Sequence, residues 1–109
     1  MLLLETTGHK SGQPRTVGLS YLEDGGRHFV AASYAGEDRD PAWAMNLEAQ
    51  PRATVTIGGQ RVPVIARKLE GAERRAMFER FVEADAAYGE YQARTTREIP
   101  VFELRPDGA

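Results

Sequence analysis

The stretch LLLETTGHKSGQPRTVGLSYLEDGGRHFVAAS, Leu2–Ser33, holds two sharp turns with no space for a helix between them. Leu2–Thr7 reads as a strand. GHKSGQPR, Gly8–Arg15, reads as a turn bent by its glycines and proline. Arg15–Leu22 then alternates, with Val17, Leu19 and Tyr21 on one face and Thr16, Gly18 and Ser20 on the other. Asp24-Gly25-Gly26 is a hairpin signal, because the tightest strand reversal needs a left-handed backbone at its centre. Arg27–Ser33 is a third strand. Strands joined this closely run antiparallel, since a parallel return needs a crossover of about a dozen residues or more.

The rest of the chain follows the same pattern. Asp40-Pro41 predicts a helix start, with an N-cap acceptor and then proline at the first helical position. The helix AWAMNLEA is short, stopped by Pro51, and presents Trp43 and Leu47 on one face. Arg52–Ile57, the Gly58-Gly59 turn and Gln60–Leu69 form another hairpin, with Pro63 favouring an edge or a bulge. Glu70–Val82 predicts an amphipathic helix with Met77, Phe78, Phe81 and Val82 inward. A second helical stretch carries Tyr88, Tyr91, Gln92 and Thr95, and Ile99–Leu104 closes as a strand. Hairpins rather than crossover helices join the strands, which argues against a doubly wound parallel sheet. The expected fold is mainly β (α+β): a partly open, six-stranded antiparallel barrel with flanking helices. With 109 residues, one domain spanning 1–109 is expected.

Composition narrows the function. No cysteine is present, which removes disulfides, thiolate zinc sites and thiol nucleophiles together. A formal net charge of −2 gives no general attraction to nucleic acid. The opening MLLLETTG has no basic n-region for a signal peptide, and no later segment approaches a membrane span. A cytoplasmic protein is the expectation. His9 and His28 have no partner at ligand spacing, so no metal is expected.

The turn GHKSGQPR bears Lys10, Ser11, Gln13 and Arg15. Its glycines let backbone N–H groups converge as an anion nest, with Arg15 as a planar fork and Lys10 as a mobile charge. A solvated loop with charges for solubility accounts for the same residues equally well. Gly18 in mid-strand and the small residues Ala31, Ala32 and Ser33 at a strand end suit a flat ring laid against backbone, or a bulge and tight packing. Trp43 is most simply a core anchor, while Asn46 serves as a cap, a loop bond or a ligand contact. Tyr88 and Tyr91 share a helix face, to wall a pocket or to pack on the barrel. Arg94 and Arg97 follow, facing a carboxylate-rich ligand or solvent.

Four blocks, TTGHKSGQPR, DGGRHFVAAS, DPAWAMNL and YGEYQARTTREIPVFEL, resemble the deazaflavin (F420)-dependent nitroreductase and quinone reductase family of actinobacteria. The resemblance covers nearly the whole chain and implies a split β-barrel of the FMN-binding kind. It implies an oxidoreductase passing a hydride from reduced F420 to a small electrophilic acceptor: a quinone, an enone or a nitroaromatic. FMN is the alternative coenzyme, and a non-catalytic coenzyme- or lipid-binding module the alternative role. Many members carry a helix before the first strand, and this chain reads without one. A homodimer is also compatible.

Site residues follow from the same resemblance. Lys10, Ser11 and Arg15 match the family's phosphate turn, with His9 in place of its usual arginine. Thr16, Val17, Gly18, Leu19 and Ser20 would run along the coenzyme. Ala31, Ala32, Ser33 and Tyr34 would lie beside its ring, with Ala42, Trp43, Ala44, Met45 and Asn46 bordering it. Ser33 and Tyr88 are the candidate catalytic residues, and Tyr88 with Tyr91 lines the acceptor side. Tyr34, Ala44 and Asp85 depart from the family's common residues.

Overall fold

The computed structural model describes residues 1–107. Seven strands form one antiparallel sheet in the order β2-β1-β5-β6-β7-β4-β3. They are β1 (Leu2–Thr7), β2 (Pro14–Leu19), β3 (Leu22–Asp24), β4 (Arg27–Ala31), β5 (Arg52–Ile57), β6 (Gln60–Lys68) and β7 (Val101–Pro106). Three helices accompany them: α1 (Ala42–Ala49), α2 (Gly71–Ala84) and α3 (Ala87–Ala93). Among the described residues, no helix is long and apolar enough to cross a membrane.

The strand count differs from the expected six at one place. Arg15–Leu22 is not one strand, because β2 pairs with β1 while β3 pairs with β4 at the opposite edge of the sheet. Ser20 and Tyr21 carry the chain from one edge to the other, and neither sits in a ladder. The sheet curls into a half-barrel instead of closing.

Two cores use the two faces of this sheet. Inside the curl, Leu2, Leu4, Val30, Val55, Val64, Phe102 and Leu104 pack with Trp43, Ala44 and Leu47 of α1. Val17, Leu19 and Tyr21 lean on the same core, as their alternation predicts. Outside, Phe29, Leu69 and Val101 pack with Met77, Phe78 and Phe81 of α2, and Tyr88 and Tyr91 of α3 close over them. β7 is therefore buried on both faces, which explains the nearly unbroken apolar run VFEL.

Glu103 interrupts that run and is 4% exposed. Its carboxylate accepts from Arg27 Nε at 2.8 Å and from Arg67 Nη2 at 2.9 Å. Arg67 also forks onto Glu73 of α2 through two bonds of 2.9 and 2.8 Å. These four groups tie β4, β6 and β7 to the helix above them. The bond from Arg27 holds the Glu103 carboxyl below the usual carboxylate range, and the bond from Arg67 does the same for Glu73. Depressed carboxylates contribute stability at neutral pH that is lost as pH falls through their folded values. Urea midpoints should therefore fall as the pH drops below about 5, where unfolded carboxylates begin to protonate. Glu103→Gln should flatten this acid dependence and lower neutral stability by about 2 kcal/mol, measured by urea unfolding across pH.

Candidate functional site

The turn after β1 is built by its own backbone. Gly8 N–H donates to the Gln13 carbonyl at 2.8 Å, and Gly12 N–H donates to the Gly8 carbonyl at 2.9 Å. A Cβ on Gly8 would stand 2.6 Å from Ser11 Oγ and 3.2 Å from the Gln13 carbonyl oxygen, so the close approach requires glycine. Ser11 Oγ accepts from Gln13 N–H at 3.1 Å and from Arg15 Nη2 at 3.4 Å. Both contacts use its lone pairs and leave the hydroxyl hydrogen to donate elsewhere.

Asn46 holds this turn against α1. It is 3% exposed. Its Oδ1 accepts from the His9 backbone N–H at 2.9 Å, and its Nδ2 donates to Thr6 Oγ1 at 3.0 Å. Because a backbone N–H can only donate, the amide orientation is fixed. His9 Nδ1 also contacts Oδ1, so that nitrogen must carry its proton. Nε2 is then the acceptor of the neutral ring.

Between the turn and α1 lies a groove of about 380 Å³. His9, Lys10, Ser11, Arg15, Thr16 and Val17 line one side, and Ala42, Trp43 and Asn46 line the other. Thr6 and Gly8 complete the lining; Gly8 belongs to the turn read from the sequence, and Thr6 was not singled out there. No carboxylate lines the groove. Among the described residues neither Lys10 nor Arg15 forms an ion pair. Two cations without counter-ions, a hydroxyl with a hydrogen to give and an apolar wall of Trp43 and Val17 meet in this groove, a set of groups whose chemistry suits an anion beside an apolar group.

Other expected site residues lie outside this groove. Gly18 pairs with Leu3, and the space over it is taken by Met1, whose sulfur would be 3.2 Å from an added Cβ. Leu19 leans on the inner core and Ser20 is exposed beyond the end of β2. Ala44 is sealed in the inner core, Ala31 packs on the helical side, and Met45 faces outward. Ala32 is fully buried beside Val30. Ser33 and the exposed Tyr34 follow at the strand end.

Asp40 does not cap α1 as expected. Pro41 occupies the N-cap position, and its carbonyl accepts from Ala44 at 3.1 Å. Asp40 is drawn away by Arg97, whose Nη1 donates to Oδ1 at 2.9 Å. Arg97 thus faces neither ligand nor open solvent. Tyr34, Ala35 and Gly36 all have positive φ, at 46°, 53° and 81°. A left-handed turn at two non-glycine residues is costly and persists only where its surroundings fix it.

Tyr88 and Tyr91 stand together, their ring centroids 6.0 Å apart and edge-to-face, with Phe81 5.1 Å from Tyr88. Burial, with smaller contributions from Asp85 and Tyr91, pushes the Tyr88 hydroxyl up, so it stays protonated at neutral pH.

Removing the amide at position 46 would strand the His9 N–H and the Thr6 hydroxyl. Asn46→Ala should cost about 1–3 kcal/mol and should loosen the turn, read as faster amide exchange at His9 with β5 and β6 unchanged.

The sequence profile of the family described as F420H(2)-dependent quinone reductase matches residues 1–106. The F420H(2)-dependent quinone reductase Rv1261c of Mycobacterium tuberculosis is 40% identical over 106 residues, covering 94% of this chain and 71% of its own. A solved structure of an F420-H2 dependent reductase, FDR-A, is 41% identical with a TM-score of 0.85, covering 95% of this chain and 92% of its own. A solved domain-swapped dimer has the same identity of 41% and TM-score of 0.85, covering 95% of this chain and 78% of its own. These comparisons place the curled sheet among split-barrel proteins.

Proposed function

The chain belongs to the F420H(2)-dependent quinone reductase family, and from that membership and the chemistry of the groove we propose that it reduces quinone-type acceptors with reduced F420. The carrying observation is the pair of uncompensated cations, Lys10 and Arg15, set around Ser11 and facing Trp43 across the groove. Reduced F420, when bound, supplies the hydride.

The chain's own residues supply grip and orientation. Arg15 and Lys10 would bind the phosphate, Arg15 as a fork and Lys10 as a mobile charge. Ser11 adds its hydroxyl hydrogen, and His9, held by Asn46, lines the same rim without a role in the grip. Val17 and Trp43 would lie along the apolar part of the coenzyme, with the ring directed toward Ala32 and Ser33. Ser33 is the proposed donor to charge that develops on the ring or acceptor. Tyr88, kept protonated by burial, is the proposed proton donor or wall on the acceptor side, with Tyr91 beside it.

Enones and nitroaromatics share the electrophilic π-system of a quinone and extend the same proposal. FMN carries a comparable phosphate on a ribityl chain, but the relatives' names favour the deazaflavin. The likeness to a domain-swapped dimer supports a homodimer.

Fluorescence titration with F420 should show binding, and no binding at about tens of micromolar, an ordinary range for such a ligand, would reject the coenzyme assignment. Lys10→Ala combined with Arg15→Ala should raise Kd by about tenfold or more, and added salt should weaken the wild type more than this variant. Unchanged affinity would remove the turn from the site. Reduced F420 with menadione, an enone and a nitroimidazole should be oxidised fastest by menadione.

A further inference from the structure

One side chain from late in the sequence fixes the segment that joins the strand end to α1. Arg97 Nη1 donates to the Ala32 carbonyl at 3.1 Å, Nη2 to the Ser33 carbonyl at 2.8 Å and Nε to the Glu37 carbonyl at 2.8 Å. With Asp40 added, one guanidinium spans four acceptors between residues 32 and 40. Its side chain is 14% exposed and lies outside the groove.

The same segment is interlocked with α3. A Cβ on Gly36 would fall 2.8 Å from the Tyr91 carbonyl oxygen and 3.0 Å from Arg94 Cβ, so the left-handed turn sits directly on the helix that carries the tyrosines. Gln92 of α3 donates from Nε2 to the Arg97 carbonyl at 2.7 Å. Its Oε1 accepts from Arg74 of α2 at 2.9 Å and from Ile99 N–H at 3.0 Å. The buried Arg74 also holds the Ile99 carbonyl through Nε and Nη2. A continuous set of polar contacts therefore runs from α2 through α3 to Arg97, then to Ser33 and to Asp40 at the entrance of α1.

We propose that Arg97 is a positioning residue that sets the acceptor-side tyrosines and the coenzyme-side strand end in one rigid frame, and so governs hydride transfer without touching either reactant. The proposal rests on the assignment of the groove to reduced F420. Its physical basis is that the left-handed turn at Tyr34–Gly36 is strained and would relax once the carbonyls flanking it, those of Ala32, Ser33 and Glu37, lost their common donor. A shift of about 1 Å between reacting groups can cost on the order of a hundredfold in rate.

The experiment compares wild type with Arg97→Ala, Arg97→Lys and Asp40→Ala. Three quantities are read: F420 affinity by fluorescence, single-turnover oxidation of reduced F420 by menadione, and amide exchange of residues 31–40. Arg97→Ala should leave affinity unchanged, because the phosphate turn lies elsewhere, and slow the single turnover by about tenfold or more. Exchange should rise in residues 31–40 and stay constant in the β5–β6 hairpin. Lysine cannot reach all four acceptors and should not restore the rate, whereas added methylguanidinium should restore part of it in Arg97→Ala. Asp40→Ala removes one acceptor and should give the same pattern at smaller amplitude, which covers a failure of Arg97→Ala to fold. Wild-type turnover in Arg97→Ala or Arg97→Lys, or a rate loss explained by weaker affinity, would overturn the proposal. If wild type does not bind F420, the coenzyme assignment falls, and unaltered exchange at residues 31–40 would separately dismiss the frame.

Discussion

The buried amide of Asn46 constrains everything around the groove. An amide out of water needs both its donor and its acceptor used, and here they are used by different parts of the chain. Thr6 at the end of β1 takes the donor, and His9 in the turn takes the acceptor. The helix bearing Asn46 is short and has no side-chain cap. Its place depends on this amide together with the packing of Trp43, Ala44 and Leu47 inside the curl. Strand, turn and helix are thereby brought to one rim, and the cations of the turn come to face the indole.

Much of the fold was legible because local rules and tertiary structure agree. The glycine pairs at Gly25-Gly26 and Gly58-Gly59 set the hairpins, and both have the positive φ that such turns need. The apolar face of α2 was correct to the residue at Met77, Phe78 and Phe81. Alternation could not show that Ser20 and Tyr21 leave the ladder. Their side chains continue the pattern of β2, and the change is one of backbone partner. Nor could it show that Pro41, and not Asp40, would cap α1, because the competing partner of Asp40 comes from Arg97 far along the chain.

The site divided along the same line. The cationic turn was visible as a local cluster, and the structure adds that among the described residues neither Lys10 nor Arg15 forms an ion pair, which is the support for the proposed anion cup. Arg97 was visible as a charge and was read as facing a carboxylate-rich ligand or solvent, whereas its guanidinium is engaged by groups of the chain itself. Its contacts are mostly to backbone carbonyls, which leave no mark in the sequence. Gly36 carried the available signal. A glycine after two non-glycine residues in a loop, with a helix segment rich in arginine downstream, is compatible with close backbone approach.

The strand order also shapes how the molecule reaches this state. The β1–β2, β3–β4 and β5–β6 hairpins are local and can form as soon as their residues are available. The pairings that join them are not. β1 meets β5, and Val30 of β4 waits for Phe102 of β7, far along the chain. Closing such distant pairs slows folding, and it places the decisive step after β7 has been made. Until β7 inserts, the β3–β4 hairpin has no strand joining it to the rest of the sheet, and Arg97 has no fixed strand end to hold. The groove and its strained neighbour are then products of the final docking event, so a chain stalled before residue 101 would expose the faces of both cores at once.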